Sequence, residues 1–102
     1  TCLHDHLKPM IKSFADKETE KLYLTGKSRK LDIAVSQVSL RKLDYVNAAK
    51  SLTDLKIPPG NRLEALKGGY KGKYSIRIND RYRIVFRFEG SNAYDVEIID
   101  YH

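Results

Sequence analysis

Two periods run through the apolar positions of this chain, and they change over at Pro58-Pro59-Gly60. Ahead of that point Leu31, Ala34, Val35, Val38, Leu43 and Val46 recur at helical spacing, which predicts one long amphipathic helix from about Leu31 to Ala49. A shorter helix is expected before it. Asp16 has the side chain of an N-cap, Glu18 and Glu20 fall in the first turn where the helix dipole favours acids, and the pattern stops at about Leu24, before Gly26. Ile11 to Phe14 alternates and predicts a short first strand. Ser51 and Asp54, three residues apart, predict a capped single turn around Leu52 to Leu55.

After Gly60 the period is two. Arg62 to Leu66 reads as a strand, and Gly68, Gly69 and Gly72 as a glycine-rich turn. Tyr74, Ile76 and Ile78 alternate with Ser75, Arg77 and Asn79. Asn79-Asp80 is a turn signal, and then Tyr82, Ile84, Phe86 and Phe88 alternate with Arg81, Arg83, Val85 and Arg87. A last strand covers roughly Ala93 to Ile99. Helices followed by a meander of strands predict an α+β fold, a small antiparallel sheet with two N-terminal helices packed on one face.

Length and composition narrow the class. The 102 residues suit one domain, and a hydrophobic fraction of 41% excludes a disordered chain. No apolar run approaches the roughly 18 residues of a membrane span, and nothing resembles a signal peptide. Thr1 to Pro9 is unlike the rest and is expected to be an extension, with the domain running from Met10 to His102. Cys2, His4 and His6 alternate within it, but structural zinc wants four ligands and there is no second cluster, so no metal site is expected. A single cysteine excludes an internal disulfide framework and fits a reducing, cytoplasmic compartment.

Charge changes the picture further. The net charge is +6, and its distribution is uneven: Thr1 to Gly60 carries +4, Asn61 to Gly90 carries +5 in half the length, and the last twelve residues carry −3. If Tyr74, Ile76, Ile78, Ile84, Phe86 and Phe88 face the helices, then Arg77, Arg83 and Arg87 share the opposite face, since side chains at i, i+2 and i+4 lie together on a strand. Arg62, Lys67, Lys71 and Lys73 are close in sequence. Such a face is either the solvated side of an amphipathic sheet or a phosphate-binding surface, for which the planar guanidinium fork is suited. The cluster Lys27, Arg29, Lys30 reads as a solvated connection. Asp100-Tyr101-His102 offers a second site, because His102 is the sole histidine beyond the first nine residues and imidazole transfers protons near neutral pH. Chain ends are commonly frayed, which is the plain alternative.

Five separated segments, Met10-Ile-Lys-Ser-Phe14, Asn61-Arg-Leu-Glu-Ala-Leu-Lys-Gly68, Tyr74-Ser-Ile-Arg-Ile-Asn79, Tyr82-Arg-Ile-Val-Phe86 and Asp100-Tyr-His102, resemble in order and spacing the HigB toxins, the plasmid-maintenance killer proteins of the RelE superfamily. The resemblance spans Met10 to His102. It implies a small sheet with two helices on one side and a ribosome-dependent endoribonuclease that cleaves messenger RNA and arrests translation. It also implies neutralisation by a helix-turn-helix antitoxin of the HigA type, with operator DNA bound only through the toxin–antitoxin complex, and no membrane role and no cofactor.

Cleavage without a metal uses the ribose 2′-hydroxyl against the adjacent phosphate, which requires a base, cations for the phosphorane and an acid for the leaving oxygen. On the family pattern Lys67 and Arg83 match the phosphate-holding residues, with Arg77 as a supplement and Arg62, Lys71, Lys73 and Arg87 as further RNA contacts. Asp100, Tyr101 and His102 match the functional C-terminal triplet. Some HigB toxins carry histidine where this chain has Glu64; the expectation here is that Glu64 takes the 2′-hydroxyl proton and His102 protonates the leaving group, the alternative for Glu64 being an ion pair to one of the arginines. Two other function classes remain at this point, a non-catalytic RNA-binding or co-repressor partner of the antitoxin, and a free single-stranded RNA-binding module.

Overall fold

A computed structural model describes residues 11–100. Residues 1–10, with the segment expected to be an extension, and the terminal Tyr101 and His102 lie outside the described residues.

Two helices form where the capping chemistry directs. In α1 (Lys17–Thr25) the Asp16 carboxylate accepts from the Thr19 N–H at 3.3 Å, and Gly26 closes the helix in the left-handed region at φ 79°. The longer α2 (Ile33–Ala48) begins at Asp32, whose carboxylate accepts from the Val35 N–H at 2.8 Å. Between them Lys27, Arg29 and Lys30 form a connection, as expected. The Asp54 carboxylate accepts from the Lys50 and Ser51 N–H groups and starts a short 3-10 turn, Leu52–Lys56.

The sheet holds four antiparallel strands in chain order: β1 (Glu64–Ala65), β2 (Tyr74–Arg77), β3 (Tyr82–Glu89) and β4 (Asn92–Asp100). Asn79 shapes the β2–β3 turn, its side-chain oxygen accepting from the N–H groups of Arg81 and Tyr82, both at 2.8 Å. Both helices pack on one face, where Leu22, Leu43 and Val46 meet Ile76, Ile84, Phe86, Ala93 and Val96, all fully buried. The α+β architecture is the expected one.

Four expectations change in detail. Ile11 to Phe14 makes two isolated parallel bridges to Ala93 and Val96 instead of a continuous strand. The interruption comes from β4 itself: its register against β3 slips by one residue opposite Phe86, and Asp95 takes a positive φ of 54°. At that bulge Ser13 supplies both of its oxygens, the hydroxyl accepting from the Asp95 N–H and the carbonyl from the Val96 N–H. The strand expected over Arg62 to Leu66 is only Glu64–Ala65, because Arg62 turns away in the left-handed region at φ 46° and its N–H goes to the Pro59 carbonyl. The buried face of α2 is rotated from the apolar stripe: Ala34 is exposed, while Ser36, Ser39 and Lys42 are buried beside Leu43 and Val46. Finally, the open sheet face is less open than alternation suggests, with Ser75, Arg83 and Val85 all buried.

A Cβ at Gly26 would meet nothing nearer than Leu40 Cδ1 at 3.9 Å, so its cost is conformational. Gly26→Ala is expected to lose about 1–2 kcal/mol in urea unfolding. Gly60→Ala, with no neighbour within 4 Å and no positive φ, should be close to neutral.

Candidate RNA-binding and active face

Strand register fixes which side chains share the face away from the helices. Ser75, Val85 and Glu97 form one row continued by Glu64; Arg77, Arg83 and Ile99 form the next; Arg87 and Tyr94 form a third beyond Val85. Arg77, Arg83 and Arg87 are therefore on one face, as alternation requires.

Arg83 is the centre of this surface. Its side chain leaves β3 and lies across β2: Nε donates to Ser75 Oγ at 2.7 Å, and Nη2 donates to the Arg62 carbonyl at 2.7 Å and stands 3.7 Å from Glu64 Oε1. The residue is 9% exposed. A guanidinium keeps its charge even when buried, so it must be surrounded by acceptors, and here a hydroxyl, a carbonyl and a carboxylate provide them. The backbone that supplies the carbonyl is itself anchored. Asn61 is fully buried, and its amide donates to the carbonyls of Leu55 and Ile57 at 3.1 and 3.3 Å.

Glu64 and Lys67 line one shallow depression of about 350 Å³ with Ala65, Leu66 and Tyr70. Glu64 joins the two parts of the site, ion-paired to Arg83 on one side and lining the same depression as Lys67 on the other. Arg77 flanks it, paired with Asp80 across the turn. The other expected residues are placed differently. Arg87 is held by Glu89 and Asp95 and stacks over the Tyr94 ring at 4.5 Å, a separate cluster at the far end of β3. Arg62 contributes its carbonyl to Arg83, while its side chain is exposed, as is Lys71. Lys73 lies 5.9 Å over the Tyr70 ring.

Asp100 is on the helix side of the sheet, opposite Tyr82, with Oδ2 accepting from Arg81 Nε at 2.9 Å. It lines a cleft of about 400 Å³ between α1, the α1–α2 connection and the sheet end. The described part of the C-terminal triplet is therefore not brought to Glu64 and Arg83, and Tyr101 and His102 lie outside the described residues. Each arginine of the face has an internal acidic neighbour, so their mutual repulsion is relieved within the fold as well as by any bound anion.

Three residues of this face escaped the sequence reading. Ser75 was legible as outward-facing but carried no chemical signal. Tyr70, 37% exposed, follows two glycines that read only as a turn. Glu97 is the third. Burial, with the Asp16 and Asp95 charges adding to it and Lys73 opposing, pushes its carboxyl above the ordinary glutamate value.

Comparison with known proteins shows the family and the fold. A family model described as the RelE-like toxin of type II toxin-antitoxin system HigB matches residues 12–102. Toxin HigB-1 of Vibrio cholerae is 41% identical over 80 residues, covering 78% of this chain and 84% of its own. Endoribonuclease HigB of Proteus vulgaris is 30% identical over 99 residues, covering 91% of this chain and 100% of its own. A chain of the YoeB-YefM complex from Staphylococcus aureus shares the fold, with a TM-score of 0.52 at 17% identity over 90% of this chain and 97% of that one. The architecture is thus RelE-like, a small antiparallel sheet with two helices on one face. The chain belongs to the HigB family of toxins of type II toxin–antitoxin systems.

The raised Glu97 value has a consequence for stability. The fold favours its protonated form, so this group's contribution is complete below the unfolded pKa and is lost as pH rises through the folded one. Glu97→Gln is expected to melt at a higher temperature than the parent at pH 7, and the difference should vanish below about pH 4. Thermal melts across that range measure it.

Proposed function

We propose that this chain is the endoribonuclease of its toxin–antitoxin pair, cutting messenger RNA on the ribosome in the reducing cytoplasm and silenced by a helix-turn-helix antitoxin of the HigA type. The observation that carries the reading is Arg83, a permanent cation fixed on the sheet face beside the Glu64 carboxylate. The relative from Proteus vulgaris named an endoribonuclease matches along nearly the whole chain.

In this reading Arg83 and Lys67 hold the scissile phosphate, with Arg77 at its edge. The Glu64 carboxylate takes the 2′-hydroxyl proton, O2′ bonds to phosphorus, and the bond to O5′ breaks as the His102 imidazolium gives that oxygen a proton. The products are a 2′,3′-cyclic phosphate and a free 5′-hydroxyl. Arg83 carries the charge that grows on the non-bridging oxygens, and because its fork is already held by Ser75 and the Arg62 carbonyl, no reorganisation is needed in the transition state. Tyr101 stacks on a base or donates to the phosphate, and Asp100 orients the end of β4 through Arg81.

Cleavage of ribosome-bound message should fall about 10²–10³-fold in Arg83→Ala. Arg83→Lys should not restore it, since an ammonium cannot reproduce the fork. Glu64→Gln should lose about 10²–10⁴-fold. An unaffected Glu64→Gln protein would assign that carboxylate to its pair with Arg83 alone. Deleting Tyr101-His102 should abolish both message cutting and growth arrest; a truncated chain that still arrests growth contradicts the C-terminal assignment.

A further inference from the structure

Lys42 is a lysine on the core face of α2, 6% exposed, whose ammonium donates to the Arg77 carbonyl at 2.6 Å. The reason that carbonyl is open to it lies in the sheet edge. In the register of β1 against β2, Glu64 is opposite Ser75 and the Leu66 N–H donates to the Lys73 carbonyl. Continued by one further rung, the same ladder would pair residue 62 with Arg77 and give that carbonyl the residue-62 N–H. The rung is not made. Arg62 turns away at φ 46° and its N–H goes to Pro59. Side-chain cations occupy both carbonyls of the lost pair: Lys42 binds that of Arg77, and Arg83 binds that of Arg62.

The placement is demanding. Burial, together with the charges of Arg41, Arg77 and Arg83, pushes the Lys42 ammonium below its ordinary value. A neutral donor on the same carbonyl would have avoided this repulsion. What Lys42 gives in return is a fixed end for β2, whose last residue is the register partner of Arg83. The unfilled rung is thereby kept open, so that the Arg62 carbonyl stays free to hold the Arg83 fork.

We propose that Lys42 is a positioning residue of the phosphate site, replacing the missing backbone donor at the end of β2 and so setting the pitch of Arg77 and Arg83 on the opposite face. Lys42 reaches the site from the helix side and acts through the strand, without touching RNA. The proposal rests on the function proposed above, in which Arg83 holds the scissile phosphate.

The test compares the full chain with Lys42→Met and Lys42→Arg. One arm follows solvent exchange of the Arg83 Nε–H proton by NMR, and the other follows kcat and KM for ribosome-bound message. Lys42→Met should speed the Nε–H exchange and lower kcat about 10- to 100-fold with little change in KM, as a small misplacement of a fixed catalytic group does. Lys42→Arg, which keeps donor and charge, should restore most of both. An unchanged exchange rate or an unchanged kcat in Lys42→Met overturns the proposal. If Lys42→Met does not fold, Lys42→Gln takes its place: its amide nitrogen ends one bond short of the lysine ammonium and does not reach the Arg77 carbonyl, so the same changes are expected and the same results overturn the proposal. A parent chain that cuts no message contradicts the ribonuclease reading, while the exchange arm still decides whether Lys42 sets Arg83.

Discussion

A guanidinium cannot escape burial by giving up its proton, so a chain that buries one must build acceptors around it. Arg83 imposes that constraint here, and much of the sheet edge answers it. Ser75 lies in the row beside it, Glu64 sits on the adjoining edge strand, and the Arg62 carbonyl is freed because the strand ends early. Nε and Nη2 are both met by groups that belong to the scaffold. The fold alone therefore sets the arginine in position, which is what electrostatic preorganisation asks of the role proposed for it.

The rest of the fold serves that edge. Leu22, Leu43 and Val46 fasten the helices to Ile76, Ile84 and Phe86, so the sheet has one sealed face and one working face. The bulge at Asp95 lets Ala93 and Val96 both enter the core while Tyr94 and Glu97 stay on the working face. Asn61 pins the loop that carries the Arg62 carbonyl to the 3-10 turn that follows α2. On either side of this sheet an ionisable group meets an environment that opposes its charge, the half-buried Glu97 with its carboxyl raised and the buried Lys42 with its ammonium lowered.

Much of this was legible before the structure. Asp16 and Gly26 bounded the first helix because a cap needs an acceptor before the helix and a tolerant φ after it. Alternation placed Arg77, Arg83 and Arg87 on one face because a strand has only two. What stayed hidden depends on breaks in those periods. A bulge at a non-glycine residue leaves no mark in the pattern, and the left-handed turn at Arg62 lies inside a run that otherwise alternates. Lys42 follows Arg41 on an amphipathic helix, where a lysine ordinarily belongs to the solvated side. Only the absence of a rung on β2, a contact between residues far apart in sequence, gives it a buried acceptor. The division of Arg87 from Arg83 was hidden for the same reason, since Glu89, Asp95 and Tyr94 claim it through the hairpin.

The central claim is that the scaffold presets Arg83 for phosphate, and Ser75 offers the narrowest way to test it. Ser75→Ala removes one hydroxyl, the acceptor of the Arg83 Nε–H, and leaves every charge of the face in place. Cleavage of ribosome-bound message by that variant should fall about tenfold or more, with the fold intact by circular dichroism. A Ser75→Ala protein that cuts as fast as the parent would contradict the account, because the arginine would then do its work without being held.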